Sequence, residues 1–154
     1  MSVLPGHMKT KRIASEGTKT YVLVFDKDDE VASHLLQFAR DEGITAAFFN
    51  ALGAFEDVTF GWFDREIEDY KRIELTEGME VMSFVGNLGI GEQGEPKLHA
   101  HVMLGKRDGT VHGGHFFQGH VWPTMEMVLT VMPDRFVRKV DEETGIPLID
   151  LDLS

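Results

Sequence analysis

Four of the seven histidines fall between His99 and His115, in Leu98-His99-Ala100-His101-Val102-Met103-Leu104 and in Val111-His112-Gly113-Gly114-His115. Side chains alternate faces along a strand, so Leu98, Ala100, Val102 and Leu104 share an apolar face while His99, His101 and Met103 share the other. Two imidazoles at alternate positions can reach one ion. The Asp-Gly pair of Lys106-Arg107-Asp108-Gly109 favours a tight hairpin. That hairpin returns the chain antiparallel and sets Gly114 and His115 opposite His101. A third ring nitrogen thus comes from the neighbouring strand. Three imidazole nitrogens suit zinc, with copper, nickel and iron as the other ions of that donor set, and they leave a fourth position for water or substrate. Water on such an ion loses a proton near neutral pH, and a carbonyl on it is polarised.

Two readings compete for the third ligand. In a regular returning strand His112 and Gly114 share a face, so a bulge at Gly113-Gly114 would decide whether His112 or His115 turns inward. His120 is a weaker candidate, His7 weaker still, and His34 reads as a surface or boundary residue. The bland alternative for the whole group is a row of histidines on the solvent face of a half-exposed strand. Glu126, a charge between Met125 and Met127, is the carboxylate best placed by sequence to orient a ligand or shuttle a proton as a catalytic group; an outward strand position explains it equally well. Asn87 reads either as a polar pocket group or as a turn former. Met125, Met127 and Met132 read as filler. No nucleophile elbow, dinucleotide fingerprint or phosphate loop is present.

The elements that would position these groups follow from periodicity. Tyr21-Val22-Leu23-Val24-Phe25 reads as a buried strand. A helix follows over about residues 29–42, capped by Asp28, striped by Val31, Leu35, Phe38 and Ala39, and ended at Gly43. Beyond it, strands are expected over 44–52, 57–63, 70–75, 80–87, 97–104 and 125–132, in a largely antiparallel sheet because the connections are too short for helical crossovers. Residues 89–96, with three glycines and Pro96, read as a flexible loop.

The 154 residues suit one domain with its own core. We expect residues 1–17 to form a flexible basic N-terminal arm and residues 18–154 a single domain. No signal segment or apolar membrane span is evident, so a cytoplasmic location with no membrane partner is expected. The chain has no cysteine, which fits that compartment and restricts any transition-metal site to histidine and carboxylate. A formal charge of -11 disfavours nucleic acid. Lys9, Lys11, Arg12 and Lys19 concentrate positive charge near the start, while acids fill a tail from Asp141 that reads as solvated.

Leu98-His99-Ala100-His101, Arg107-Asp108-Gly109, Gly113-Gly114-His115-Phe116 and the later Gly119, Val121, Thr124 and Glu126 together resemble the PPC (or PCC) domain, the plants-and-prokaryotes-conserved domain, in its stand-alone prokaryotic form. Fainter echoes lie in Ala51-Leu52-Gly53-Ala54-Phe55, Arg72-Ile73-Glu74-Leu75 and Asp141-Glu142-Glu143-Thr144-Gly145. The resemblance implies an α+β fold, a mostly antiparallel sheet flanked by one or two helices, assembled as a homotrimer and shared with acetolactate decarboxylase. It also implies zinc on His99, His101 and His115, and so favours His115 over His112. A small-ligand pocket and a metal-assisted hydrolase or lyase are the expected function, with the small ligand itself unspecified. DNA binding is the alternative, because plant relatives join this domain to AT-hooks; this chain has no Arg-Gly-Arg-Pro element, and its charge opposes the idea.

Overall fold

The structure is a computed structural model that describes residues 8–13 and 17–154. Strand β1 (Lys9–Ile13) pairs antiparallel with β2 (Thr20–Phe25). Tyr21, Leu23 and Phe25 of β2 point inward, as alternation requires. The N-terminal segment expected to be a flexible arm is therefore sheet over residues 9–13, and Lys9 Nζ lies 3.2 Å from Asp26. The rest of that arm up to residue 7, with His7, and residues 14–16 lie outside the described residues.

Helix α1 (Val31–Glu42) buries Val31, Leu35, Phe38 and Ala39 and ends at Gly43 in the left-handed conformation. Its cap is Glu30, not Asp28: the Glu30 carboxylate accepts from Ala32 N at 3.0 Å and Ser33 N at 2.7 Å. Asp28 instead sits at φ 69° in the turn before. His34 is buried on the inner side of α1, its ring 6.4 Å from that of Phe25, so the surface reading of this histidine is corrected.

The other strands are β3 (Ala47–Asp64), β4 (Asp69–Leu75), β5 (Met79–Gly91), β6 (Pro96–Gly105), β7 (Val111–Val131), β8 (Val137–Val140) and β9 (Pro147–Ile149). They are longer than the sequence pattern suggests. The segments expected over 44–52 and 57–63 form one strand, β3, which shifts register past Gly53, and β7 begins at Val111. A register shift lets a long strand bend without ending. Residues 89–96 are likewise no flexible loop: β5 runs to Gly91, and a tight turn closed by Gly91 N to Glu95 O at 2.8 Å leads into β6.

All pairings are antiparallel except β5 with β8. Strand β6 pairs with both β5 and β7, and β3 pairs with the same two, so these four strands close on themselves. Inside lie Phe55, Phe84 and Phe116, with ring centroids 4.7 to 6.2 Å apart. Burying such rings is the main stabilising contribution, about 1.5–3 kcal/mol for each large apolar side chain. The architecture is α+β with one helix among the described residues. The β6–β7 hairpin matters for function because it sets the outer faces of these two strands side by side.

Candidate metal centre

Two strand registers coincide to gather the three histidines. His101 of β6 lies directly opposite His115 of β7, and His99 shares a face with His101 two residues earlier. His115 is also opposite Gly61 of β3, so it stands between β3 and β6. Ring centroids are 5.2 Å apart for His99 and His101, 5.3 Å for His99 and His115, and 5.7 Å for His101 and His115. One nitrogen of each ring lies within 4.8 Å of the others. Tetrahedral zinc, with bonds of about 2.0–2.1 Å, sets its nitrogens roughly 3.3 Å apart, so a small rotation of the rings would close the grip.

The glycine pair acts by close approach and not by bulging. Pairing runs without a shift from Val111 to His115. A Cβ on Gly113 would collide with the Val102 carbonyl, and one on Gly114 with the carbonyl of Gly61. Only bare backbone lets β7 sit this close to both neighbours. In this regular register His115 stands opposite His101, while His112 is exposed and outside the cluster.

The site's electrostatics favour neutral imidazoles. Burial first, then the positive surroundings of His99, His101, Arg138 and Arg72, pull the His115 pKa down to about 4. Burial, then Arg138 and His101, lower that of His99. A neutral ring has a free lone pair for a metal at neutral pH. His115 Nδ1 is buried with no hydrogen-bond partner, an orphan that a cation or the second-layer partner of a ligand ring would satisfy. Tyr70 of β4 packs on the His115 ring at 4.6 Å between centroids and Phe117 at 5.0 Å, which holds the imidazole in place.

A second layer was not legible in the sequence. Asn87 lies opposite His99 inside β5, so the turn reading of this residue falls. Its Oδ1 accepts from Arg138 Nη2 at 2.5 Å, and that nitrogen approaches His99 Nδ1 at 3.4 Å. Arg138 is only 6% exposed, and Nη1 donates to the Pro147 carbonyl at 2.9 Å. It comes from β8, just ahead of the tail from Asp141 that reads as solvated. Val137-Arg138-Lys139-Val140 sets two cations side by side with no apolar alternation, so nothing in the segment marks one of them as buried.

The other sequence candidates are placed elsewhere. Glu126 is exposed on β7, opposite Val24 and Leu52, in a hollow shared with Met82 and Val85. No carboxylate joins the three histidines among the described residues. His120 turns to Asp57, with Nδ1 2.9 Å from its carboxylate, and this bond raises its pKa.

A sheet closed on itself, with a histidine triad on the outer face of two adjoining strands, defines the class to which the protein should be compared. The Plants and Prokaryotes Conserved (PCC) domain matches residues 12–133, and the chain belongs to that family. It is similar to a plant- and prokaryote-conserved protein of Pyrococcus horikoshii, with 30% identity and a TM-score of 0.79 over 96% of this chain and 97% of that one. A metal-containing protein of Archaeoglobus fulgidus is 32% identical, with a TM-score of 0.78 over 97% and 99% of the two chains. A presumed DNA-binding protein of Ralstonia eutropha JMP134 is 29% identical, with a TM-score of 0.81 over 92% and 96%. No curated protein matches the chain.

Proposed function

We propose that this chain is a metal-binding PPC-domain protein in which His99, His101 and His115 hold one divalent transition metal, zinc being the ion that best suits three neutral imidazoles. The single observation that carries this reading is the convergence of one nitrogen from each ring within 4.8 Å. The metal-containing Archaeoglobus fulgidus protein, at 32% identity across nearly the whole chain, supports it. When bound, the ion would supply an acidified water or a polarised carbonyl, the chemistry of a hydrolase or lyase acting on a small ligand. The chain's own residues favour the neutral rings of His99 and His115 and pack Tyr70 and Phe117 against His115.

Self-association as a homotrimer is part of the reading. Phe48, Leu52, Met82, Val85, Met103 and Val128 are each 45% or more exposed on the outer face of β3, β5, β6 and β7, a grouping larger than scattered surface apolars. Glu126 sits within that face, which makes a role beside the metal a matter for a partner copy and not for its own protomer. A cytoplasmic location also belongs to this reading, on the cysteine-free composition. No described helix is long and apolar enough to cross a membrane.

The test is elemental analysis of protein purified without a histidine tag, beside His99→Ala and His115→Ala. One ion per chain in the parent and its loss from both variants is the expected result. A parent that takes up no metal on zinc dialysis, or variants that bind as the parent does, would overturn it. The second reading, DNA binding, is favoured by the description of the Ralstonia eutropha relative. A charge of -11 stands against it, and retention on duplex DNA that weakens steeply with salt would reverse the ranking.

A further inference from the structure

Beside the triad lies a hollow of about 230 Å³, below the roughly 300–1,000 Å³ of sites for drug-sized ligands. Among the residues lining it are His99, His115, Phe63, Tyr70, Arg138 and Leu148. The charged groups at its rim are Lys97, which pairs with Glu95 at 3.0 Å, and the exposed carboxylates Glu68 and Asp69. Water screens those two acids. Arg138 is different in kind: it is 94% buried, and its Nε has no acceptor.

Its hydrogen bonds go to the neutral oxygens of Pro147 and Asn87, and no carboxylate of the described residues lies within ion-pair distance of it. A buried charge without a counter-ion is costly, and native proteins pair such charges or place them where a ligand completes the pair. Guanidinium cannot escape by losing its proton, and its fork matches a carboxylate in two-pronged fashion. The 3.4 Å approach of Nη2 to His99 puts the guanidinium and the triad within the span of one small molecule. Arg138 also lies outside residues 12–133, the stretch matched by the family.

We propose that this hollow binds a small 2-oxo or 2-hydroxy carboxylate, its carboxylate paired with Arg138 and its neighbouring oxygen directed at the ion held by the three histidines. This inference rests on the metal reading for the second contact only. Arg138 acts here as a specificity residue: it selects an anion and sets which oxygen faces the metal. The apolar surfaces of Phe63, Tyr70, Pro147 and Leu148 and the small volume suit a short carbon skeleton.

Calorimetry on the zinc-loaded full chain, with pyruvate and its uncharged amide pyruvamide as probes, tests the proposal. Pyruvate should bind at least about tenfold more tightly than pyruvamide, the scale of a charge-assisted hydrogen-bond pair. In Arg138→Met that preference should vanish while metal content stays at one ion per chain, and Arg138→Lys should recover only part of it. Equal binding of acid and amide, no binding of pyruvate up to tens of millimolar (about the weakest affinity calorimetry resolves), or an unchanged preference in Arg138→Met overturns the inference. Should Arg138→Met fail to fold, the acid-to-amide comparison in the unaltered protein decides alone. The same comparison on chelator-treated protein separates the two readings: a preference for the acid that persists without metal leaves the Arg138 clamp standing even where zinc uptake fails.

Discussion

Protonation of His115 should destabilise the metal-free protein as pH falls, and His115→Gln should remove that part of the pH dependence. Buried among positive neighbours, His115 has a folded pKa near 4 against about 6.5 unfolded. The folded state thus prefers the neutral ring. Its contribution is fully present above pH 6.5 and lost as pH drops through that value toward 4. At pH 4.5 the unfolded ring binds almost a full proton and the folded ring about a quarter of one, a linkage of roughly 2.5 kcal/mol. His115 is only partly buried, and water screens the difference, so about 1–2 kcal/mol is the working expectation. Lowering of His99 acts in the same direction. Urea midpoints would be measured on chelator-treated protein between pH 7.5 and 4.5 at one chain concentration, because association also shifts apparent stability. Carboxylates titrate in the same range, so the quantity of interest is the gap between parent and His115→Gln. The gap should shift by about 1–2 kcal/mol in favour of His115→Gln between pH 7.5 and 4.5. Parallel curves across the whole range would refute the buried, neutral state assigned to this ring.

Gly114→Ala should destabilise by about 1–3 kcal/mol and lower metal uptake, because a Cβ there meets the Gly61 carbonyl and pushes β7 off β3; thermal melts and elemental analysis report both effects. His120 carries a shift of the opposite sign, raised by its bond to Asp57. Its stabilisation is complete below the unfolded pKa and lost as pH rises through the folded one, and a ring titration by NMR should move down in Asp57→Asn. Glu30→Ala removes the acceptor for Ala32 N, Ser33 N and Gly119 N and should cost about 1 kcal/mol in chemical denaturation.

Alternation in Leu98–Leu104 and the Asp108-Gly109 turn made the pairing of His101 with His115 readable from the sequence, because strand period and hairpin geometry are local properties. The same locality located β2 and nearly all of α1. It failed where a choice depended on distant chain. Whether Gly113 and Gly114 bulge or merely allow close packing turns on the carbonyls of Val102 and Gly61, which belong to two other strands. Glu126 satisfied every local criterion for a polar group on a strand, yet the register of β7 against β2 and β3 carries it to the apolar outer face.

Residue type and spacing alone thus determined the strand pair that carries the histidines and the charge that disfavours nucleic acid. Tertiary structure alone decided what surrounds the triad. Arg138 reaches His99 only because β8 adds in parallel to the end of β5, a pairing of residues almost fifty positions apart with no signature in either segment. Burial of a charge is set by neighbours from the whole chain, and a linear pattern has no means of recording them.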